Sequence, residues 1–195
     1  FPSTEKGRNI LKILTDIDYE HPNPDEINNF VELSYFIGPF NPKNNLLLLI
    51  LSISMGQSFY DELRTKQQFG YLVSSSRNRI QKNYYIQQKI QSTKDIELIE
   101  KAILKFNENF LNNLSEEDFN KYLLTAKKIL EERETTTREL FNNYSIEIIE
   151  NEFEFERYKL LLKHIDKIDF SMLKKFYTDN ILNKTPIKMY KRSKK

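Results

Sequence analysis

The sequence predicts an α+β two-layer sandwich, an antiparallel-rich sheet with helices on one side. Three observations lead there. Residues 30–37 alternate, with Val31, Leu33, Tyr35 and Ile37 on one face and Glu32 and Ser34 opposite, as in a half-buried strand. Residues 46–55, continued by Phe59, Tyr60 and Leu63, carry apolar side chains at helical spacing over a stretch too long for a strand. Two more strand-like runs are then followed by a succession of helical segments and a closing extended segment, the order expected when strands and helices sort into layers.

Each element has its own local reason. Residues 10–19 read as a weak strand, Ile10, Lys12 and Leu14 alternating against Leu11 and Ile13. Residues 21–25 (His-Pro-Asn-Pro-Asp) form a loop, because two prolines and short polar side chains favour turns. Gly38 and Pro39 end the first clear strand. Asn41 then supplies an N-cap and Pro42 the first helical position, so the central helix is expected over 42–66. Leu49, Ile53, Tyr60 and Leu63 are its expected buried face. Residues 71–79 and 84–91 read as two strands joined by a polar turn, with Tyr84, Ile86 and Ile90 on one side of the second and Tyr85, Gln87 and Lys89 on the other. Ser92 with Asp95 suggests a capping box ahead of an amphipathic helix marked by Ile96, Ile99, Ile103, Phe106 and Phe110. Ser115 with Asp118 opens the next helix, whose buried stripe is Phe119, Tyr122, Ala126 and Ile129 or Leu130. Helical segments at 137–150, 157–164 and 169–182 follow, and 186–191 closes as a strand.

Composition narrows the function. The chain of 195 residues suits one domain over 1–195, with residues 1–27 as a lead-in strand and proline-rich loop. It opens on Phe1 rather than Met, as an excerpt of a longer polypeptide would, and no signal peptide is visible. A net charge of +2, from 30 basic and 28 acidic residues, gives no electrostatic case for nucleic acid or an anionic membrane as partner. The apolar run at 46–55 is too short to span a bilayer. With no cysteine there is neither a disulfide nor a thiolate metal site, which fits a reducing, cytoplasmic setting.

Candidate chemistry is sparse. Four glycines leave no phosphate-cradling loop. The two histidines, His21 in the proline-rich loop and His164 near a helix end, sit in neither HxxEH nor HExxH, so a catalytic zinc site with three protein ligands cannot be built from them. The run Glu147, Glu150, Glu152, Glu154 and Glu156 reads as a solvated face rather than a cation site, since hard cations prefer tightly turned oxygen loops. The informative stretch is 59–73, FYDELRTKQQFGYLV, a helix-to-strand corner. Arg64 lies near the last helical turn and Tyr71 just after Gly70, a permanent cation with five forked donors and a phenol that donates a hydrogen bond. Read by themselves, Arg64 is equally a solvated cation at a helix C-terminus and Tyr71 an ordinary strand aromatic.

The block ELRTKQQFGY, residues 62–71, resembles the ELRT-K-E-Q-L-G-Y signature of the insulysin (insulin-degrading enzyme) branch of the M16 zinc metallopeptidases, with Gln67 in place of Glu and Phe69 in place of Leu. Support continues in order through Ile90, Gln91, Ser92 and Lys94, the Leu-Ser-Glu-Glu-Asp-Phe start at 114–119, and Lys175, Phe176 and Tyr177, so that the likeness spans residues 28 to 190. The resemblance implies the C-terminal, non-zinc domain of such a protease, a sandwich of the M16 (LuxS/MPP-like) type that helps to enclose a peptide substrate. It implies that Arg64 and Tyr71 contact the substrate carbonyl or oxyanion. It also implies no metal or cofactor in this chain, zinc in a partner N-terminal half on the same polypeptide or a separate subunit, and no peptidase activity for this chain alone. Two other readings stand beside it. One is a domain of the same fold that has lost activity and serves structure or interaction. The other is a single-strand nucleic-acid module, since Phe69, Gly70, Tyr71, Leu72 and Val73 echo an RNA-recognition-motif strand with Arg77, Arg79, Lys82, Tyr84 and Tyr85 nearby. Against that module stand Gln68 where a basic residue belongs, Ser75 where an aromatic belongs, and the near-neutral charge.

Overall fold

The computed structural model describes residues 16–80, 82–132, 136–149, 153 and 155–194. The expected alternation at 10–14 lies outside the described residues; strand β1 is Ile17–Glu20. Strand β2 (Asn29–Pro39) is followed by helix α1 (Pro42–Phe59), which continues as a π-helical turn, Tyr60–Lys66. Strands β3 (Leu72–Ile80) and β4 (Asn83–Ser92) form a hairpin. Helices α2 (Ile96–Phe110), α3 (Glu116–Glu131), α4 (Thr137–Ile149), α5 (Arg157–Ile165) and α6 (Phe170–Tyr177) precede strand β5 (Ile187–Arg192). The five strands form one mixed sheet in the order β1-β5-β2-β4-β3, antiparallel except for β1 beside β5.

Register decides which face is core. Val31, Leu33 and Tyr35 of β2 stand opposite Ile90, Gln88 and Ile86 of β4, and the helices cover this face. The alternation read from β2 is therefore correct, but the strand does not end at Gly38. A bulge between Phe36 and Gly38 absorbs the irregularity, and Gly38, at φ +122°, takes a conformation that side chains with a Cβ rarely adopt.

Helix α1 starts as the sequence indicates. Asn41 caps it by accepting from the Asn44 N–H at 3.0 Å, and Pro42 occupies its first turn. Its environment differs from the expectation. A single buried stripe through Leu49, Ile53, Tyr60 and Leu63 holds for Leu49 and Leu63 only; Ile53 is half-buried and Tyr60 is 40% exposed. Residues 45–51 are buried on every side, together with Ser54, Met55 and Phe59, because β3 lies against one side of α1 and α3, α5 and α6 against the other. A helix apolar all round is a core helix. With its π extension it reaches 25 residues, more than the apolar run alone suggested, and it is enclosed by protein over its apolar part.

The remaining helices are correct in place and partly corrected in detail. Asp95, not Ser92, is the N-cap residue of α2, and no side chain caps that end. Ser92 Oγ instead accepts from the Lys94 N–H at 3.1 Å. Ser115 caps α3 through the Asp118 N–H, as expected, and the fourth member of the α3 stripe is Leu130, since Ile129 is exposed. The core encloses one polar knot. Asn107 of α2 donates to Tyr35 Oη (3.0 Å) and exchanges hydrogen bonds with the Gln88 amide (2.7 and 2.9 Å), while the Tyr177 hydroxyl donates to the Asn107 carbonyl (2.8 Å). This joins the sheet to α2 and α6 with the buried groups satisfied.

Leu48→Ala, at a wholly buried site, should lower the unfolding free energy by about 2–5 kcal/mol in urea titration, and Ile50→Asp should lower it more than Ile53→Asp. The knot sets an alkaline limit. Burial pushes the Tyr35 phenol up to about 12, against the weaker opposing effect of the Asn107 bond, and burial also raises Tyr177. Because the folded state holds these protons more tightly than the unfolded chain, with its phenols near 10, stability is full below pH 10 and should fall as pH rises from 10 through 12. Tyr35→Phe should flatten that decline in melting curves.

Candidate active-site corner

The corner is made by three backbone hydrogen bonds that open the last turn of the long helix. Gln67 N–H reaches back five residues to Glu62 O (3.1 Å), Gln68 N–H bonds Arg64 O (3.2 Å) and Phe69 N–H bonds Leu63 O (2.9 Å). A π-type turn of this kind is uncommon and is found often at functional sites. Gln68, at φ 53°, reverses the chain. Leu63 and Phe69 are buried on either side of the reversal and anchor it. Gly70 then lies so close to β4 that a Cβ there would fall 2.0 Å from the Gln91 carbonyl oxygen, so only glycine allows the approach. Tyr71 emerges from this clamp 87% exposed.

Arg64 and Tyr71 do meet. The Arg64 guanidinium carbon lies 5.0 Å from the centre of the Tyr71 ring and 5.1 Å from that of Tyr60, one helical turn earlier, and Nη1 donates to the Tyr71 carbonyl oxygen. Two aromatic faces and one backbone acceptor therefore fix the cation. The Tyr71 hydroxyl is not buried in the core, and the two side chains do not point to opposite faces of the sheet. Tyr60 is the member that the sequence reading missed, having been assigned to the core. Its signal was the i, i+4 spacing to Arg64, which stacks the two on the same helix face.

Glu62 does not orient Arg64. It accepts from Gln67 Nε2 (2.8 Å) and Lys66 Nζ (2.9 Å), which in that order hold its carboxyl below the usual carboxylate range, so it stays ionised on the helix surface. A cleft of about 490 Å³ between the π turn and α2 is lined by Asp61, Glu62, Lys66, Lys105 and Phe106 but by neither Arg64 nor Tyr71.

The other singled-out residues disperse. His21 Nδ1 accepts from the Asn23 N–H, and His164 Nδ1 lies 2.8 Å from the Leu160 carbonyl of its own helix. Among the described residues no three His, Asp or Glu side chains gather in a way that fits a metal ion. Of the glutamate run, Glu150, Glu152 and Glu154 lie outside the described residues. Glu147 is not on a solvated face. It is buried and held by Arg157 (2.8 and 3.0 Å) and Arg79 (3.2 Å); burial alone would raise its carboxyl, but the two cations outweigh that and keep it low. Phe69 is buried and β3 starts at Leu72, so Phe69 and Tyr71 do not stand together on an exposed strand as base stacking in that module requires.

The sheet face turned away from the helices is polar and self-satisfied. Glu32 Oε1 accepts from Ser34 Oγ and Gln87 Nε2 (both 2.8 Å), Asn78 Nδ2 donates to Gln87 Oε1 (2.8 Å), and Lys89 Nζ lies 3.4 Å from Glu32. Glu32 and Ser34 lie opposite the core face, as their alternation indicated, yet this mutual bonding leaves them nearly as buried as the core. Phe36 and Tyr85 pack edge to face beside them at 5.4 Å.

Comparison with known proteins bears on the family and the fold. Residues 50–145 match the family model described as the PQQ synthase PqqF-like C-terminal lobe, domain 4. The chain is 29% identical over 158 residues, 76% of its length, to an insulin-degrading enzyme homolog of Dictyostelium discoideum, and 28% identical over 167 residues, 81% of its length, to the insulin-degrading enzyme of Drosophila melanogaster. It spans only 16% and 17% of those proteins. The crystal structure of pitrilysin superposes with a TM-score of 0.73 over 92% of this chain and 20% of the pitrilysin chain, at 13% identity, a likeness of fold.

Gly70→Ala should be among the most damaging single-methyl changes in the protein, since the added carbon meets backbone rather than a movable side chain. A loss of about 1–3 kcal/mol or more is expected from overpacking, read as a lowered melting temperature, whereas Gly56→Ala should cost less because its Cβ meets Ser75 O at 3.1 Å.

Proposed function

We infer that this chain, a C-terminal domain of the M16 peptidase family, works opposite a zinc-bearing half to enclose a peptide and to stabilise its scissile carbonyl during hydrolysis. The observation that carries this reading is the convergence of Arg64 and Tyr71 at an exposed corner built from the family-type block at residues 62–71. The zinc in the partner half, on the same polypeptide or a separate subunit, supplies a Lewis acid and an activated water.

This chain's own part is electrostatic. Arg64 spends one of its five N–H donors on the Tyr71 carbonyl, which leaves others for a substrate oxygen, and the exposed Tyr71 hydroxyl is a second, neutral donor beside it. Donors held in place before the reaction, aimed where negative charge develops, are typically worth about 3–4 kcal/mol each. Neither group is needed for proton transfer, and ionised Glu62 is engaged elsewhere. The polar sheet face, Glu32 to Lys89, forms part of the chamber wall, where a hydrogen-bonded surface tolerates varied peptide side chains.

One observation favours a second reading. The Arg64 bond to the Tyr71 carbonyl is also what a purely structural strut at a helix-to-strand corner would make, as in a domain that has kept the fold without activity. Kinetics separate the two. In the complete peptidase, Arg64→Ala and Tyr71→Phe should each lower turnover about a hundredfold or more, with the melting temperature of Tyr71→Phe unchanged. A strut predicts a stability loss for Arg64→Ala and unchanged turnover for Tyr71→Phe.

A further inference from the structure

We propose that Tyr60 is a positioning residue for the reaction: its ring holds the Arg64 guanidinium in place while the Tyr71 side chain turns to the substrate. The proposal rests on the reading of Arg64 and Tyr71 as donors to the scissile carbonyl. Helix α1 ends at Phe59 and Tyr60 opens the π turn, so Tyr60 stands four residues before Arg64 on the same side of the helix. The Arg64 guanidinium carbon lies 5.1 Å from the centre of the Tyr60 ring and 5.0 Å from that of Tyr71, both within the range of cation–π attraction. The two contacts are not equivalent. Tyr71 is 87% exposed, and a ring whose hydroxyl must reach the substrate is free to leave the cation. Tyr60 is less exposed, at 40%, and is carried on the helix itself. Among the described residues its hydroxyl makes no hydrogen bond, so what Tyr60 offers the corner is its ring.

The backbone makes this division of labour workable. The Tyr71 carbonyl follows Gly70, which is pressed against the Gln91 carbonyl, so the bond it accepts from Arg64 Nη1 survives a turn of the Tyr71 side chain. One hydrogen bond alone leaves the guanidinium free to pivot about it. The Tyr60 ring removes that freedom from the helix side, and the remaining N–H groups of Arg64 are then oriented before the oxyanion forms. An interaction of this kind acts on the transition state rather than on peptide binding, so it is read in kcat and not in KM. It also depends on the negative face of an aromatic ring, which phenylalanine keeps and leucine lacks.

The test uses the complete, zinc-loaded peptidase and a quenched peptide substrate. Tyr60→Leu should lower kcat about fivefold, the scale of one cation–π contact, with KM and melting temperature unchanged, and Tyr60→Phe should keep the parent kcat. In an Arg64→Ala background, Tyr60→Leu should cause no further loss, because it acts through the guanidinium. Replacing Tyr60 by phenylalanines bearing one, two and three fluorines, which drain charge from the ring face at nearly constant size, should lower kcat stepwise. Equal losses for Tyr60→Phe and Tyr60→Leu assign the effect to the hydroxyl and overturn the proposal. So does a Tyr60→Leu loss that persists in full without Arg64, or a flat fluorine series. If Arg64→Ala slows turnover while Tyr60→Leu does not, the positioning role alone fails; if Arg64→Ala leaves turnover unchanged, the donor reading of the corner fails and this proposal with it.

Discussion

Enclosure of α1 is the constraint from which the architecture follows. A segment as apolar as residues 46–51 cannot leave any side in water, so a sheet on one side is not enough, and α3, α5 and α6 must close over the other. Burying that many Leu and Ile side chains, at about 1.5–3 kcal/mol each, provides a driving force that the weaker edge elements do not. The polar knot around Asn107 then helps to fix how the cover sits, because Tyr35, Gln88 and Tyr177 reach it from β2, β4 and α6 and a shift of one element would leave a buried partner unpaired.

A helix held this firmly at its centre has a well-defined end, and the corner depends on that. Leu63 and Phe69 tie the π turn to the core, while Gly70 presses against the Gln91 carbonyl. Between these anchors the chain has little freedom, so backbone packing sets where Arg64 and Tyr71 leave the chain, and the contacts of Arg64 with Tyr60, Tyr71 and the Tyr71 carbonyl set where its cation lies. A rigid scaffold that presents an exposed pair of donors is the arrangement that electrostatic preorganisation requires.

Much of this was legible in the sequence, and the failures share a cause. The alternation of β2, the β3–β4 hairpin, the Asn41–Pro42 helix start, the Ser115 cap and the amphipathic stripe of α2 each depend on neighbours within a few residues, and each was read correctly. The buried face of α1 was misread because periodicity assumes one apolar side, whereas tertiary packing covers the whole circumference; Ile53 and Tyr60 were assigned inward on that assumption. Glu147 was read as solvated because Arg79 is 68 residues away in sequence and no local pattern announces the pair. Ser92 was taken for a cap since its spacing to Asp95 imitates one, although its hydroxyl serves the turn before α2. For the corner, Arg64 and Tyr71 were found through the block at 62–71, while Tyr60, which differs from them only in lying upstream of that block, was not.

The identity of residue 64 follows from what the corner asks of one side chain. It must place its cation over two rings at once, Tyr60 and Tyr71, donate to the Tyr71 carbonyl, and keep further donors for an incoming oxygen. Lysine has one compact ammonium at the end of a flexible stem and no face to stack, so it would satisfy the carbonyl only by leaving the rings, and its position would then vary with each rotamer. Arginine meets all three demands because its planar fork separates stacking from hydrogen bonding by direction. The bond to the Tyr71 carbonyl, which taken alone looks like simple bracing, is therefore compatible with action on a substrate: it fixes the plane in which the remaining N–H groups point, and a donor whose direction is already fixed loses less entropy when the oxyanion forms.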